Sequence, residues 1–385
     1  MFLIRAFVVW KLVVASLLLA AFILIPAHVN LGNIPARANL WNRYYTGEAR
    51  DALYTPFCNW DGQHYLLLAD RGYASPAARY SVGFYPLFPL SISLTKAVLF
   101  SPYLSALVNV TIFSFLFLWV YYAYARRFLP VDSARLAVIL LLLYPSSLFL
   151  TVVYSESLFL LCLFAFLWFY DRKHLAAAAF AMLLPMIRGQ GVFVACAIFA
   201  YLAWQISGGG SKPHARYQLK VLAGFTAGIA LYFLFYKLVL GNAWAGIEAQ
   251  KYNASNNDFR RILDVSGFIG HLWHPSSRWF IYNNGRVDKI FVLVMLAGIP
   301  VVLRSRVPLH AFLYAILVYF PAAMGVGSMS FARYSLMAVP FLIISLLQLC
   351  HSRYARWILF ACIGTAFLVV QLVFVVRFAL NVWVG

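Results

Sequence analysis

Eleven acidic side chains stand in a chain of 385 residues, and two of them sit among apolar and aromatic neighbours. Asp61 lies in Asn59-Trp60-Asp61-Gly62-Gln63-His64-Tyr65, followed by Ala69-Asp70-Arg71-Gly72-Tyr73 and Tyr85-Pro86-Leu87-Phe88-Pro89. Glu156 lies in Tyr154-Ser155-Glu156-Ser157, shortly after Tyr144-Pro145-Ser146-Ser147. A carboxylate within reach of a hydroxyl can act as a general base. Helical spacing puts Asp61, His64, Tyr65 and Leu68 on one face. The same residues also fit a helix N-terminus with Trp60 and Tyr65 as membrane-interface anchors. Glu156 likewise fits a first helical turn capped by Ser155, which competes with a role in a site.

Two arginines complete the set. Arg188 stands in Pro185-Met186-Ile187-Arg188-Gly189-Gln190-Gly191 and Arg333 in Ser330-Phe331-Ala332-Arg333-Tyr334. A guanidinium fork suits bidentate phosphate binding, and snorkelling toward lipid headgroups is the competing role. The other acids read as supporting charges. Asp132 and Asp171 lie beside arginines and look solvated, Asp70 adjoins Arg71, and Asp288 precedes Lys289 at a helix entry. Glu48 and Asp51 flank Arg50, while Glu248, Asp258 and Asp264 fall in a polar loop. His271 and His274 with Glu248 make a weak metal set, better read as loop packing. No D-x-D, Walker loop or dinucleotide fingerprint occurs. Cys58, Cys162, Cys196, Cys350 and Cys362 show neither zinc spacing nor a disulfide framework. No cofactor is expected, and a divalent-metal requirement stays open.

These residues are carried by an apolar chain: 64% hydrophobic, 18% aromatic and 11% charged. Such composition, in runs near the bilayer length, implies an all-α polytopic membrane protein. Apolar runs at roughly 7–26, 103–125, 136–153, 156–170, 175–187, 190–206, 219–240, 287–303, 308–324, 335–350 and 357–380 predict about eleven transmembrane helices. Arg5 and Lys11 ahead of the first run could mark a signal peptide, but the spans that follow favour an uncleaved helix. The formal charge of +19 has a bland source, since Lys and Arg collect in short loops, and nucleic-acid binding is not expected.

Five short loops on one side carry twelve basic residues, from Arg126 and Arg127 through Arg353 and Arg356. The three short loops opposite carry only Arg188 and Arg333. The positive-inside bias then puts the N-terminus in the cytoplasm and the C-terminus outside. Parity makes residues 84–100 an interfacial or re-entrant helix rather than a span. Asp61, Glu156, Arg188 and Arg333 all fall on the non-cytoplasmic face. The chain reads as one transmembrane domain over 1–385. Outer loop 27–83 carries the Asp61 motif, and outer loop 241–286 is the expected lid or acceptor-side loop.

In this order, Trp60-Asp61 with Tyr65, Gly72-Tyr73, and Tyr85-Pro86 with Pro89 resemble the first lumenal loop of the PIG-V-like mannosyltransferases of the GT-C superfamily. Pro145-Ser146-Ser147 with Tyr154-Ser155-Glu156, Arg188 to Gly191, and Arg333-Tyr334 before Pro340 are similar to later family elements. The resemblance covers residues 58–191 well, 330–342 loosely, and 192–329 by topology alone. It implies a GT-C-like fold and an inverting transfer of mannose from a polyprenyl-phosphate-mannose donor to a lipid- or glycan-linked acceptor. Asp61 would be the base, with Arg188 and Arg333 on the donor phosphate. Trp60, Gln63, His64, Tyr65, Tyr154, Glu156, Gln190 and Tyr334 would line the substrate. The compact loops look prokaryotic, which implies a cytoplasmic membrane with the site on its outer face, among membrane lipids. Another lipid-linked sugar such as arabinose, glucose or an amino sugar fits nearly as well. A lipid-linked sugar flippase is a further alternative, although no internal repeat is visible.

Overall fold

A computed structural model describes residues 1–25, 49–209, 214–252, 265–273, 285–325, 330–382 and 384. Half of loop 241–286, with Asp258, Asp264 and His274, lies outside them, as does Glu48. Every regular element among the described residues is helical. The chain enters through α1 (Phe2–Leu24) and, after a 3-10 segment (Ala49–Phe57), forms α2 (Asp61–Arg71) and α3 (Leu87–Leu99). Next come α4 (Pro102–Ala125), α5 (Val131–Leu143), α6 (Glu156–Tyr170), α7 (Ala176–Ile187), α8 (Gln190–Trp204) and α9 (Ala215–Leu240). The short α10 (Ala245–Glu248) and α11 (Val265–Trp273) precede α12 (Arg286–Leu303) and α13 (Leu309–Gly325). The four-residue α14 (Phe331–Tyr334) leads into α15 (Val339–Leu349), and α16 (Arg353–Ala379) closes the bundle.

Five described helices, α1, α4, α8 with its C-terminal extension, α9 and α16, are long and apolar enough to cross a membrane unaided. The segments Phe331–Met337 and Val339–Leu349, bent by 63°, make a sixth when taken together. The expected count of about eleven is therefore not reached by this measure, and the reasons are local. The run predicted over 136–153 stops being α-helical at Leu143, because Pro145 opens a 3-10 turn (Pro145–Leu150). α6 and α7 hold 15 and 12 residues, about 22 and 18 Å against a hydrocarbon core of about 30 Å. Such short helices with broken ends are tolerated at membrane depth where protein covers them. α6 meets that condition, since all but three of its residues are buried. At 13 residues, about 20 Å, α3 is too short to cross; Leu94 and Val98 on it are exposed.

Two devices hold the bundle around α6. Aromatic rings interlock where α4, α6 and α15 meet: Phe164 stacks on Phe341 at 5.2 Å and takes Tyr121 and Tyr124 edge-on. On the other side, α9 presents Gly224 and Gly228 to α7 so closely that an added Cβ would fall 2.3 Å from the Ala178 oxygen and 2.1 Å from the Met182 oxygen. Small residues four apart let two helix backbones touch, a packing mode suited to lipid, where apolar burial alone does not hold helices together. α6 is thereby fixed, and the residue at its head is Glu156.

Candidate active site

The loop before α2 folds as a tight turn. The Gly62 N–H donates to the Asn59 carbonyl at 3.2 Å, and Trp60 occupies the second position with φ +57° and ψ −118°. Glycine is the usual resident of that conformation, and a side-chain-bearing residue there costs on the order of 1–3 kcal/mol. Three contacts hold the turn in place. Asn59 Nδ2 donates to the Phe378 carbonyl at 2.6 Å on α16. The Asp61 N–H donates to the Tyr154 hydroxyl at 3.2 Å. The Val153 N–H donates to the Phe57 carbonyl at 2.8 Å. Asp61 thus starts α2 as the sequence allowed, with its carboxylate turned inward and its side chain 29% exposed.

Four charges, spread over 272 residues of sequence, meet there. Arg333 donates from Nη1 to Asp61 Oδ2 at 2.5 Å and from Nε to Glu156 Oε1. Arg188 reaches the same Glu156 oxygen from Nη1 at 2.8 Å and also donates to Ser155 Oγ at 3.0 Å. Glu156 is fully buried, Arg333 and Arg188 nearly so. The Arg333 guanidinium lies 4.4 Å from the centre of the Tyr154 ring and 5.3 Å from that of Phe149. Asp61, Glu156, Arg188 and Arg333 therefore form one charge-balanced chain, in which Glu156 bridges two arginines and Arg333 bridges two carboxylates. Among the described residues neither arginine engages Nη2 with a protein acceptor, and Asp61 Oδ1 and Glu156 Oε2 have no hydrogen-bonding partner. What remains available is a pair of guanidinium edges for an anion and one free carboxylate oxygen on the most open member of the set.

The other candidate residues lie around this arrangement, and some of them brace it. Tyr65 is buried, its hydroxyl 2.9 Å from Ser155 Oγ and its ring edge-on to Phe84 and Phe88. Gln190 accepts from Arg188 Nε at 3.3 Å, and the Tyr334 ring centre lies 5.8 Å from the Arg188 guanidinium. Gln63 is buried on α2, and Trp60 packs as a partly buried side chain against the main core. His64 stacks on Phe84 at 4.7 Å and places Nδ1 2.7 Å from Ser81 Oγ. Burial lowers its imidazole to about 4, against a smaller opposing pull from Asp61, so the ring is neutral at physiological pH. Gly191 explains the spacing after Arg188: a Cβ there would sit 2.3 Å from the Leu184 carbonyl, so only glycine lets the α7–α8 turn close.

One reading of a single acid changes. Asp171 is not solvated: its side chain is 8% exposed, pairs with Arg127, and lies 3.0 Å from His310 Nε2. Asp70, beside Arg71 in sequence, pairs with Lys96 at 2.5 Å and joins α2 to α3. Local spacing offers Ser155 only a helix cap, which it does not make, and Asp288 only a helix entry; Ser155 instead binds both Tyr65 and Arg188, and Asp288 is buried and accepts the Ala332 N–H at 3.0 Å. Nothing in local spacing marks either role, because their partners lie tens of residues away. Among the described residues no three of His, Cys, Asp and Glu come together as a metal site.

No protein-family model matches this chain, and no curated protein sequence does. Solved structures match it by shape. The apo oligosaccharyltransferase of Archaeoglobus fulgidus superposes with a TM-score of 0.53 at 12% identity, over 98% of this chain and 56% of that one. The same protein tethered to an acceptor peptide containing the NVT sequon gives 0.51 at 13% identity, over 98% and 55%. Its complex with Zn and sulfate gives 0.51 at 14%, over 98% and 53%. The fold is GT-C-like. This chain spans about half the length of the structures it matches, and at such identity the likeness is one of fold. The four charges sit on that fold at the ends of α2, α6, α7 and α14.

Proposed function

We propose that this chain is a membrane glycosyltransferase that moves a sugar, in the first instance mannose, from a polyprenyl-phosphate donor to the hydroxyl of a lipid- or glycan-linked acceptor on the non-cytoplasmic face. The observation that carries the reading is the Asp61–Arg333–Glu156–Arg188 chain, which puts a carboxylate with a free oxygen beside two guanidinium groups with free edges. The GT-C-like fold supports it, as do the Trp60-Asp61, Tyr154-Ser155-Glu156, Arg188 and Arg333-Tyr334 elements that meet at this one place.

In the proposed reaction Asp61 Oδ1 accepts the proton of the acceptor hydroxyl while its oxygen attacks the anomeric carbon. The bond from that carbon to the phosphate oxygen breaks on the opposite side, and its electron pair leaves with the polyprenyl phosphate. Arg188 and Arg333 stabilise the charge growing on that phosphate through their Nη2 edges. A phosphate leaving group needs no proton, so one carboxylate suffices where glycoside hydrolysis uses two. Attack opposite the leaving group inverts the anomeric centre and gives an α-mannoside from a β-linked donor. Glu156, locked between two arginines, holds them in place and moves no proton.

The test is incubation of the purified full chain in lipid nanodiscs with polyprenyl-phosphate mannose and candidate acceptors, reading released polyprenyl phosphate and the anomer formed. Release that depends on acceptor supports the reading. Translocation of the lipid-linked sugar without release would replace it with the flippase. Parallel donors carrying glucose, arabinose or an amino sugar, and a peptide acceptor suggested by the fold likeness, set its specificity.

A further inference from the structure

We propose that Asp288, at the first turn of α12, is the residue that fixes the position of Arg333, by capping from another helix the short element that carries it. α14 holds only four residues, far below the length at which a helix sustains itself. The residue before it, Ser330, has φ +63° and ψ 24°, a left-handed conformation that a side chain disfavours, and makes no side-chain cap. The first N–H groups of α14 therefore need an acceptor from elsewhere. Asp288 supplies it: its side chain is 3% exposed, and Oδ1 takes the Ala332 N–H at 3.0 Å. The carbonyl of the same Ala332 accepts from Ser335 Oγ at 2.6 Å and from Ser146 Oγ of the Pro145-Ser146-Ser147 turn. Ala332 is thus gripped at its N–H by α12 and at its carbonyl by the head of the 3-10 turn, one residue before Arg333.

This grip matters because the Arg333 guanidinium has a narrow tolerance. Nη1 must reach Asp61 at 2.5 Å while Nε reaches Glu156. A backbone shift of about 1 Å breaks one of the two, and misplacement on that scale can cost about a hundredfold in a rate. The task needs only an acceptor oxygen held at that place, which a carboxyl or a side-chain amide can supply. Asp288 is a positioning residue: it touches the backbone of α14 and not the charges themselves.

The inference rests on the proposed function only for its catalytic consequence, so the experiment has two arms. In the first, hydrogen exchange of the amides of 331–335 is followed by mass spectrometry on the full chain in nanodiscs. Asp288→Ala is expected to speed exchange about fivefold to tenfold, the loss of one helix cap. Asp288→Asn, whose Oδ1 accepts the same hydrogen bond, is expected to stay within about twofold of the parent. In the second arm, the dissociation constant for polyprenyl phosphate is expected to rise about tenfold in Asp288→Ala, to be largely restored in Asp288→Asn, and not to rise further when Asp288→Ala is added to Arg333→Ala. Unchanged exchange in Asp288→Ala, or additive losses with Arg333→Ala, overturns the positioning role. Should exchange respond as expected while polyprenyl phosphate binds equally to the parent and Arg333→Ala, the positioning role stands and the phosphate reading of Arg333 falls.

Discussion

Replacing Glu156 with glutamine separates a residue that touches substrate from one that holds two cations together. In the parent, Asp61 and Glu156 balance Arg188 and Arg333, and Glu156 Oε1 receives both guanidinium groups. Glutamine keeps a carbonyl oxygen at the same place but removes the charge, leaving the buried cluster at net +1. Hydrogen bonds to a charged acceptor are roughly twice as strong as those to a neutral one. Breaking a buried ion pair by removing one partner costs about 3–5 kcal/mol, and the retained oxygen keeps the loss near the lower end, about 3 kcal/mol. The missing negative charge is what a phosphate monoester brings. Polyprenyl phosphate should therefore bind Glu156→Gln more tightly than the parent, by about tenfold for 1.4 kcal/mol of recovered attraction. The assay is thermal or denaturant unfolding in nanodiscs with and without polyprenyl phosphate. Lower stability without ligand and a larger stabilisation with it are expected. A variant as stable as the parent, or one that binds the phosphate more weakly, would refute the clamp and return Glu156 to the substrate surface.

Two further outcomes follow from geometry and from charge. Gly191→Ala puts a Cβ 2.3 Å from the Leu184 carbonyl, so the α7–α8 turn must open; a stability loss of about 2 kcal/mol is expected, with weaker polyprenyl-phosphate binding as Arg188 moves, and unchanged binding would show that the turn does not set Arg188. His64 is neutral in the fold because burial lowers it to about 4, whereas the unfolded ring titrates near 6.5. The unfolded state therefore takes up more protons across that window, and stability, full above pH 6.5, falls as pH drops toward 4 by up to about 3 kcal/mol. His64→Gln should flatten that acid-side slope, and parallel curves for parent and variant between pH 6.5 and 4 would contradict it.

Much of this arrangement was legible in the chain because charge is rare in it. With eleven acids and long apolar runs, Asp61, Glu156, Arg188 and Arg333 were exceptions, and loop parity alone assigned them to one side. What could not be read was their pairing. Nothing in spacing says that Arg333 takes both carboxylates or that Glu156 is sealed off by two arginines, since these contacts span 177 and 272 residues. One run was read as too long for a different reason: hydropathy does not register where a helix ends inside an apolar stretch. The run through Leu143 to Val153 looked like one span, but Pro145 breaks it, and the broken end serves the site by offering Ser146 to α14. Asp288 was passed over because an acid in a first turn is already explained by its own helix, and its actual partner belongs to another.

The most direct measurement compares the parent and Asp61→Asn for acceptor-dependent release of polyprenyl phosphate from polyprenyl-phosphate mannose, with donor affinity measured alongside. Asparagine can keep an oxygen facing Arg333, but it removes both the negative charge and the capacity to take a proton. A rate at least about a hundredfold lower, with donor affinity no weaker than that of the parent, is predicted. Turnover within a fewfold of the parent would contradict the assignment of Asp61 as the base.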